Sequence, residues 1–354
     1  MRSPKGSNAP FRRPTLSDVA ALADVSAATV SRVLNGNYPV AAETRVRVLE
    51  AVETYNYVPN AHAQALVRAQ SGIIGVVLAD VSDPFFAEIV RGVQSAARAA
   101  ARLVVICNTE GDPDQELQYV SLLRTQRADA VLVIGAAPDD RRIGKEMGRH
   151  AEGLASQGGV LVYCGRPRPP GTRAGKVVPL DNQGAGRLAA RRLLDAGHRD
   201  LLYLAGPRGV STTAARHSGV TAEFEQRRVA AHRLQVAHGP LNRETGYQEV
   251  GIRADAGVLP NAILAGNDLL AIGAMSALRD RGLAVPADVS VIGIDDVPVA
   301  SDVTPRLTTV RLPLIALGQA GAQVAFGLTS AATTEPAQLV ERESVRPVRR
   351  RQRG

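Results

Sequence analysis

Residues 15–36 read TLSDVAALADVSAATVSRVLNG, and the way this run divides into helices decides what the rest of the chain must serve. Leu16, Val19, Ala20 and Ala23 recur at helical spacing behind Thr15, a good N-cap. Asp24-Val25 interrupts the period, and Ser26 opens a second helix of small and β-branched residues with a single arginine, Arg32. Two short helices on a tight joint suit the reading of a DNA groove, because nothing bulky holds the second helix away from the base edges. Ser26 leaves N–H groups at the helix start to face phosphate, and Ser31 and Arg32 add donors. An ordinary helical hairpin satisfies the same pattern and is favoured on that pattern alone.

Downstream, Val48, Leu49, Val52 and Tyr55 mark one face of a third helix, which Tyr57-Val58-Pro59-Asn60 stops because the residue before a proline avoids the helical region. Residues 60–71 have little to bury and are expected to be helical only conditionally, as a hinge. From Gly72 the texture changes. Apolar runs such as GIIGVVLA, ADAVLVIG, RDLLYLAG and VSVIGID alternate with amphipathic stretches such as 84–101 and 114–125. That alternation indicates parallel sheets covered by helices on both faces, and about eight strands exceed one compact sheet of this type. Arg166–Pro170, RPRPP, reads as a crossing between two subdomains, and ligands of such folds gather where strand ends meet loops.

The chain has 354 residues, enough for more than one domain; it is 45% hydrophobic but only 3% aromatic, without tryptophan, so its cores rest on Ala, Val and Leu. The formal charge of +8 gathers at both ends, with Arg12 and Arg13 in one arm and Arg342, Arg346, Arg349, Arg350, Arg351 and Arg353 in the other. Basic ends are usually only solvated, and a neighbouring readout element raises the odds of a polyanion partner. Cys107 and Cys164 stand apart with no metal-binding spacing, which fits a reducing compartment. No signal-peptide core and no spanning run is evident, so a cytoplasmic location is expected and no membrane association.

Residue by residue, 15–36 and ETRVRVLEAVETYNYVPNAHAQAL (43–66) closely resemble the start of LacI/GalR-type transcriptional regulators. The resemblance continues through VSDPFFAEIVRGV, CNTEGDPDQE, LDNQGAGRLAARRLLDAGHRDLLYLAGP, AGNDLLAIGAMSAL, ADVSVIGIDDVPVA and TPRLTTVR, nearly the whole chain. It implies a small all-α helix-turn-helix headpiece plus an α/β two-lobed, periplasmic-binding-protein-like effector domain with parallel doubly wound sheets. The implied division is a disordered basic arm at 1–14, a DNA-binding domain at 15–59, a hinge at 60–71, an effector and dimerisation domain at 72–346 and a basic tail at 347–354. Within the effector domain the N-lobe is expected at about 72–170 and 300–330, and the C-lobe at about 171–299 and 331–346. The implied function is a regulator, repressor rather than activator, acting as a homodimer on a near-palindromic double-stranded operator under control of a small-molecule effector, a sugar or related metabolite. No cofactor, metal or catalytic residue is implied.

The same resemblance assigns roles. Ala27 and Ala28 open the recognition helix and Arg32 is the base-contacting arginine, while Thr15, Ser26, Thr29, Ser31, Asn35 and Thr44 touch phosphates or steady the headpiece. Asn60, His62 and Leu66 belong to the hinge, with Leu66 wedged into the minor groove at the operator centre. Asp24 departs from the glycine common in the turn, but aspartate tolerates the left-handed conformation better than most residues. For the effector, Phe85 is expected in the cleft and Phe86 in the helix core, with Ser211 and Thr212 on a loop and Arg216, Asn267 and Asp295 bonding the ligand; Asp268 is a candidate helix cap. Gly165 and Leu241 stand where a polar contact and a stacking aromatic are common, which leaves the effector's identity open.

Two other classes compete. Gly184-Ala185-Gly186-Arg187-Leu188-Ala189 mimics a dinucleotide fingerprint, but the strand after it, LLYLAGP, ends without the acidic residue that holds a ribose, which weighs against an NAD-dependent oxidoreductase. A solute-binding protein would share the two lobes but not the headpiece. His198-Arg199-Asp200 has no kinase companions and reads as a helix-to-strand turn.

Overall fold

The computed structural model describes residues 14–35, 38–57, 71–329 and 335–348. The chain divides into two compact units, Met1–Ser71 and Gly72–Gly354.

The first unit is built from three helices, α1 (Leu16–Leu22), α2 (Ala27–Asn35) and α3 (Ala42–Thr54). Thr15 caps α1 through a capping box: its side chain accepts from the Asp18 N–H while the Asp18 carboxylate accepts from the Thr15 N–H at 2.7 Å. Asp24 takes up the left-handed conformation, φ 51°, so the joint survives the loss of glycine. Val19, Ala20, Ala23, Val30, Val33, Val48 and Ala51 are buried together, one stripe from each helix. A core of seven small side chains stabilises modestly, which suits a unit whose task is to hold one helix face outward.

The second unit contains two sheets. The first runs β2-β1-β3-β4-β5, with β1 (Ile73–Leu78), β2 (Leu103–Asn108), β3 (Ala130–Ile134), β4 (Val160–Cys164) and β5 (Lys176–Val178) all parallel. The second runs β11-β10-β9-β8-β6-β7, with β6 (Leu201–Ala205), β7 (Leu234–His238), β8 (Ala262–Ala265), β9 (Ser290–Asp295) and β10 (Thr308–Arg311) parallel and β11 (Gln338–Val340) antiparallel at one edge. Helices α4 (Pro84–Ala99) and α11 (Leu314–Ala325) pair on the first lobe, as do α5 (Pro113–Thr125) and α6 (Arg141–Ser156). On the second lobe α7 (Asn182–Asp195) pairs with α8 (Ser211–Gln226), and α9 (Arg243–Asp255) with α10 (Asp268–Arg279). The central strands β3, β6 and β9 are wholly buried, as strands covered on both faces must be, while the edge strand β2 mixes exposed and half-buried residues.

Three helix pairs share one packing device. An added Cβ at Gly92 would meet the Ile315 carbonyl at 2.1 Å and one at Gly318 the Ile89 carbonyl at 2.0 Å. Gly186 and Gly219 stand likewise against the Arg216 and Gln183 carbonyls, and Gly246 and Gly273 against those of Leu270 and Arg243. Backbone therefore touches backbone in each pair, and the few aromatics the chain carries are not needed to fill the gap.

The lobe boundaries differ from the sequence expectation. Arg166–Pro170 is not a crossing: Arg166 is buried in the first lobe, bonded twice to Glu116 at 2.8 and 3.1 Å, and Pro170 lays its carbonyl over Gly144 of α6. The chain stays with the first sheet through β5 and crosses between Val178 and Asn182; it returns between Arg311 and Leu314 and crosses again before β11. Residues 300–311, expected in the N-lobe, thus belong to the C-lobe, because β10 pairs with β9. Three strands, β7, β10 and β11, lie beyond the eight apolar runs read from the sequence.

Candidate functional site

On the first unit α2 has two unlike sides. Val30 and Val33 are buried in the headpiece core, while Ser26, Ala27, Ala28 and Arg32 are exposed and Thr29 and Ser31 half-buried. The Ser26 hydroxyl accepts from the Thr29 N–H at 3.1 Å and lies 2.9 Å from the Thr29 hydroxyl, so it caps its own helix. The first turn thus offers only methyl groups, and the side chain that reaches furthest from this face is Arg32, whose guanidinium carbon lies 5.5 Å from the Tyr38 ring centroid. Thr15 is exposed and serves as the α1 cap, and Thr44 is half-buried in the first turn of α3. The Asn35 side chain, and Asn60, His62, Leu66 and the hinge as a whole, lie outside the described residues.

In the second unit the carboxyl ends of both sheets face the interlobe cleft, and there residues from strand ends and helices form a connected polar set around Arg216. Arg216, on α8, is buried; its Nε donates to Asn182 Oδ1 at 3.0 Å, its Nη2 to Asp295 Oδ1 at 2.9 Å and its Nη1 to the Gly266 carbonyl. Burial pushes the Asp295 carboxyl up to about 7, against the pull of Arg216 and with help from the Asp83 charge on the other lobe. Asp83 caps α4 through the Phe85 N–H at 2.9 Å, and burial raises its pKa too. Asp295 and Asp296 both have positive φ, 115° and 57°. Two consecutive left-handed non-glycine residues persist only where their surroundings hold them: Arg216 holds the first, and Arg311 at 2.7 Å and Arg342 at 2.6 Å hold the second.

Other expected residues are placed differently. Ser211 and Thr212 are not on a loop but begin α8. Ser211 ties the lobes together: its N–H donates to the Ala137 carbonyl and its hydroxyl accepts from the Ala137 N–H, both at 2.9 Å, and the Asp139 N–H donates to the Gly209 carbonyl at 2.8 Å. Asn267 caps α10 by accepting from the Leu270 N–H, and its amide donates to the Leu241 carbonyl at 3.0 Å. Asp268 does not cap that helix; it turns inward to accept from the Thr309 hydroxyl at 2.5 Å and the Val297 N–H at 2.9 Å, with its pKa raised well above the usual carboxylate range by burial. Phe85 and Phe86 do not divide between cleft and core: both are half-buried and meet edge to face at 5.1 Å, Phe86 lying over Gly135 at the end of β3.

Asn182, Asp83 and the Gly266 carbonyl were absent from the expected set. Asn182 sat in the run read for its glycines, and the structure gives those glycines another purpose: Gly184 donates to the Asp181 cap at 2.8 Å and Gly186 admits the Arg216 backbone. His198 lies in the turn after α7, within 3.0–3.2 Å of Asn261 Oδ1, Ser290 Oγ and the Arg346 carbonyl, and burial lowers its pKa. No described helix is long and apolar enough to cross a membrane.

Residues 15–60 match the profile of bacterial regulatory proteins of the lacI family, and residues 190–351 that of the periplasmic binding protein-like domain. The chain is 36% identical over 312 residues to the HTH-type transcriptional regulator GalS of Salmonella typhimurium, covering 88% of this chain and 89% of the relative. It is 33% identical over 314 residues to GalR of Escherichia coli, 89% of each, and 31% identical over 306 residues to the repressor PurR of Proteus mirabilis, 86% and 87%. The lac repressor dimer, solved with operator and the anti-inducer ONPF, superposes with a TM-score of 0.80 at 27% identity over 94% of this chain and 99% of that one. The regulator CelR, solved with cellobiose, gives 0.67 at 29% identity over 94% and 100%.

Proposed function

The chain belongs to the LacI/GalR family of bacterial transcriptional regulators, and from that premise we propose that α2 is its recognition helix and that a small molecule between the lobes sets its affinity for an operator. The protein is a DNA-binding regulator under allosteric control, and its homologues are regulators rather than enzymes. The observation that carries the detailed reading is the asymmetry of α2: its valines are buried and its outer face is bare except for Arg32. A bare face can approach base edges closely, alanine methyls suit the thymine methyl, and arginine can donate twice to guanine O6 and N7. Thr15, Ser26, Thr29, Ser31, Asn35 and Thr44 support this face or reach phosphate in the same reading, with Asn60, His62 and Leu66 completing it at the hinge.

For the effector the reading uses Arg216, Asp295 and Asn267 with Phe85, Ser211 and Thr212, to which Asn182 and Asp83 are added. The relative CelR, solved with cellobiose, favours a sugar or related metabolite in this chain too. Control follows from population shift: an effector that prefers one lobe arrangement biases the protein towards it by its differential affinity and no more. A homodimer on a near-palindromic operator completes the proposal, since two-fold protein symmetry calls for two-fold sites.

The test is selection of binding duplexes from a random pool by the full chain. Arg32→Ala is expected to lose roughly 1–3 kcal/mol of discrimination at one base pair of each half-site. Equal binding of all operator variants by parent and mutant would overturn the assignment of α2.

A further inference from the structure

We propose that Tyr38 is a positioning residue for base readout, its ring holding the Arg32 guanidinium in the orientation that faces the groove. The inference rests on the reading of α2 as the recognition helix. A free arginine side chain samples many rotamers, and fixing one on binding costs affinity. Among the described residues no carboxylate pairs with Arg32; its guanidinium stands over the Tyr38 ring, 5.5 Å from the centroid.

Three features of Tyr38 point the same way. Tyr38 is 67% exposed and takes no part in the headpiece core, so it is not there to stabilise the fold. Pro39 follows it, and a residue before proline is confined to extended backbone, which narrows the places its ring can occupy. A ring that engages the face of a guanidinium leaves the in-plane N–H groups at its edge free, and those are the groups that donate to guanine O6 and N7. Inside a groove the displaced water strengthens the contact further. The tyrosine therefore supplies orientation, and the arginine supplies the reading.

The experiment uses the full chain and duplexes selected by the parent from a random-sequence pool, comparing Tyr38→Leu, Tyr38→Phe, Arg32→Ala and the Tyr38→Leu/Arg32→Ala double variant. Tyr38→Leu is expected to weaken binding about 2- to 5-fold, the range an exposed cation–π contact supports, and to relax the same base pair that Arg32→Ala relaxes. Tyr38→Phe should restore both, and the double variant should bind no worse than Arg32→Ala alone. If Tyr38→Leu leaves affinity and base preference at parental values while Arg32→Ala relaxes one position, the positioning role is overturned and the recognition helix stands. If the two losses add, Tyr38 contacts DNA on its own account and the proposal also falls. If Arg32→Ala alone changes nothing, the recognition-helix reading fails instead.

Discussion

Asp295 carries a carboxyl that burial pushes up to about 7 although Arg216 sits beside it. Between the ordinary value of 3.8 and that point the folded chain holds a proton that the unfolded chain has released, so raising the pH through this window costs stability. His150, His198 and His217, whose pKa values burial lowers, act in the opposite direction, which makes a difference measurement the right one. Asparagine cannot titrate: the stability of Asp295→Asn relative to the parent is expected to rise as pH increases from about 4 to about 8, followed by urea unfolding. A gap that stays flat across that range would place the Asp295 carboxylate in an ordinary environment. Asp295 was legible in the sequence because a strand-end position follows from its apolar run, whereas Arg216, inside α8, was marked only by the family resemblance. The duties of Asn267 and Asp268 were not, since which of two neighbours caps a helix depends on where the first turn begins.

Helix pairing was legible only in part. The amphipathic periods located α4 and α5, but nothing in a single glycine says which backbone will lie against it, and the reciprocal pairs emerge only in three dimensions. Gly219→Ala should destabilise the second unit by roughly 1–3 kcal/mol in urea titration, because its methyl meets the fixed Gln183 carbonyl rather than a movable side chain. At the lobe junction, Ser211→Ala leaves the Ala137 N–H without its acceptor at a cost of about 1 kcal/mol, and small-angle scattering should report a larger radius of gyration without effector. An unchanged radius would mean that the backbone bond between Asp139 and Gly209 closes the junction unaided. The misread RPRPP run has a physical cause as well: prolines mark a stiff extended segment, and a stiff segment can wrap one lobe as well as leave it.

For the whole molecule, the alternation from Gly72 made more than one parallel sheet legible in texture and the resemblance added the headpiece and the two lobes, whereas the points where the chain changes lobes were not legible, because a short run such as β5 does not say which sheet it joins and β10 and β11 were not read as strands. The proposed dimer is checked by sedimentation, where the full chain should run at twice its 37.3 kDa, and by a two-fold symmetric footprint on selected duplexes. A monomer on DNA would remove the palindrome from the account.

The three passages between lobes bear on how the protein is made. Neither lobe is a continuous stretch of chain, and α11, which covers α4 through Gly92 and Gly318, is synthesised after almost everything else. A nascent chain halted before Leu314 leaves Ile89 and Val93 uncovered, so the ribosome must release most of the polypeptide before either half can finish its interior. By the same token, a protease cutting at one of these passages severs a single thread of three, and the halves stay together.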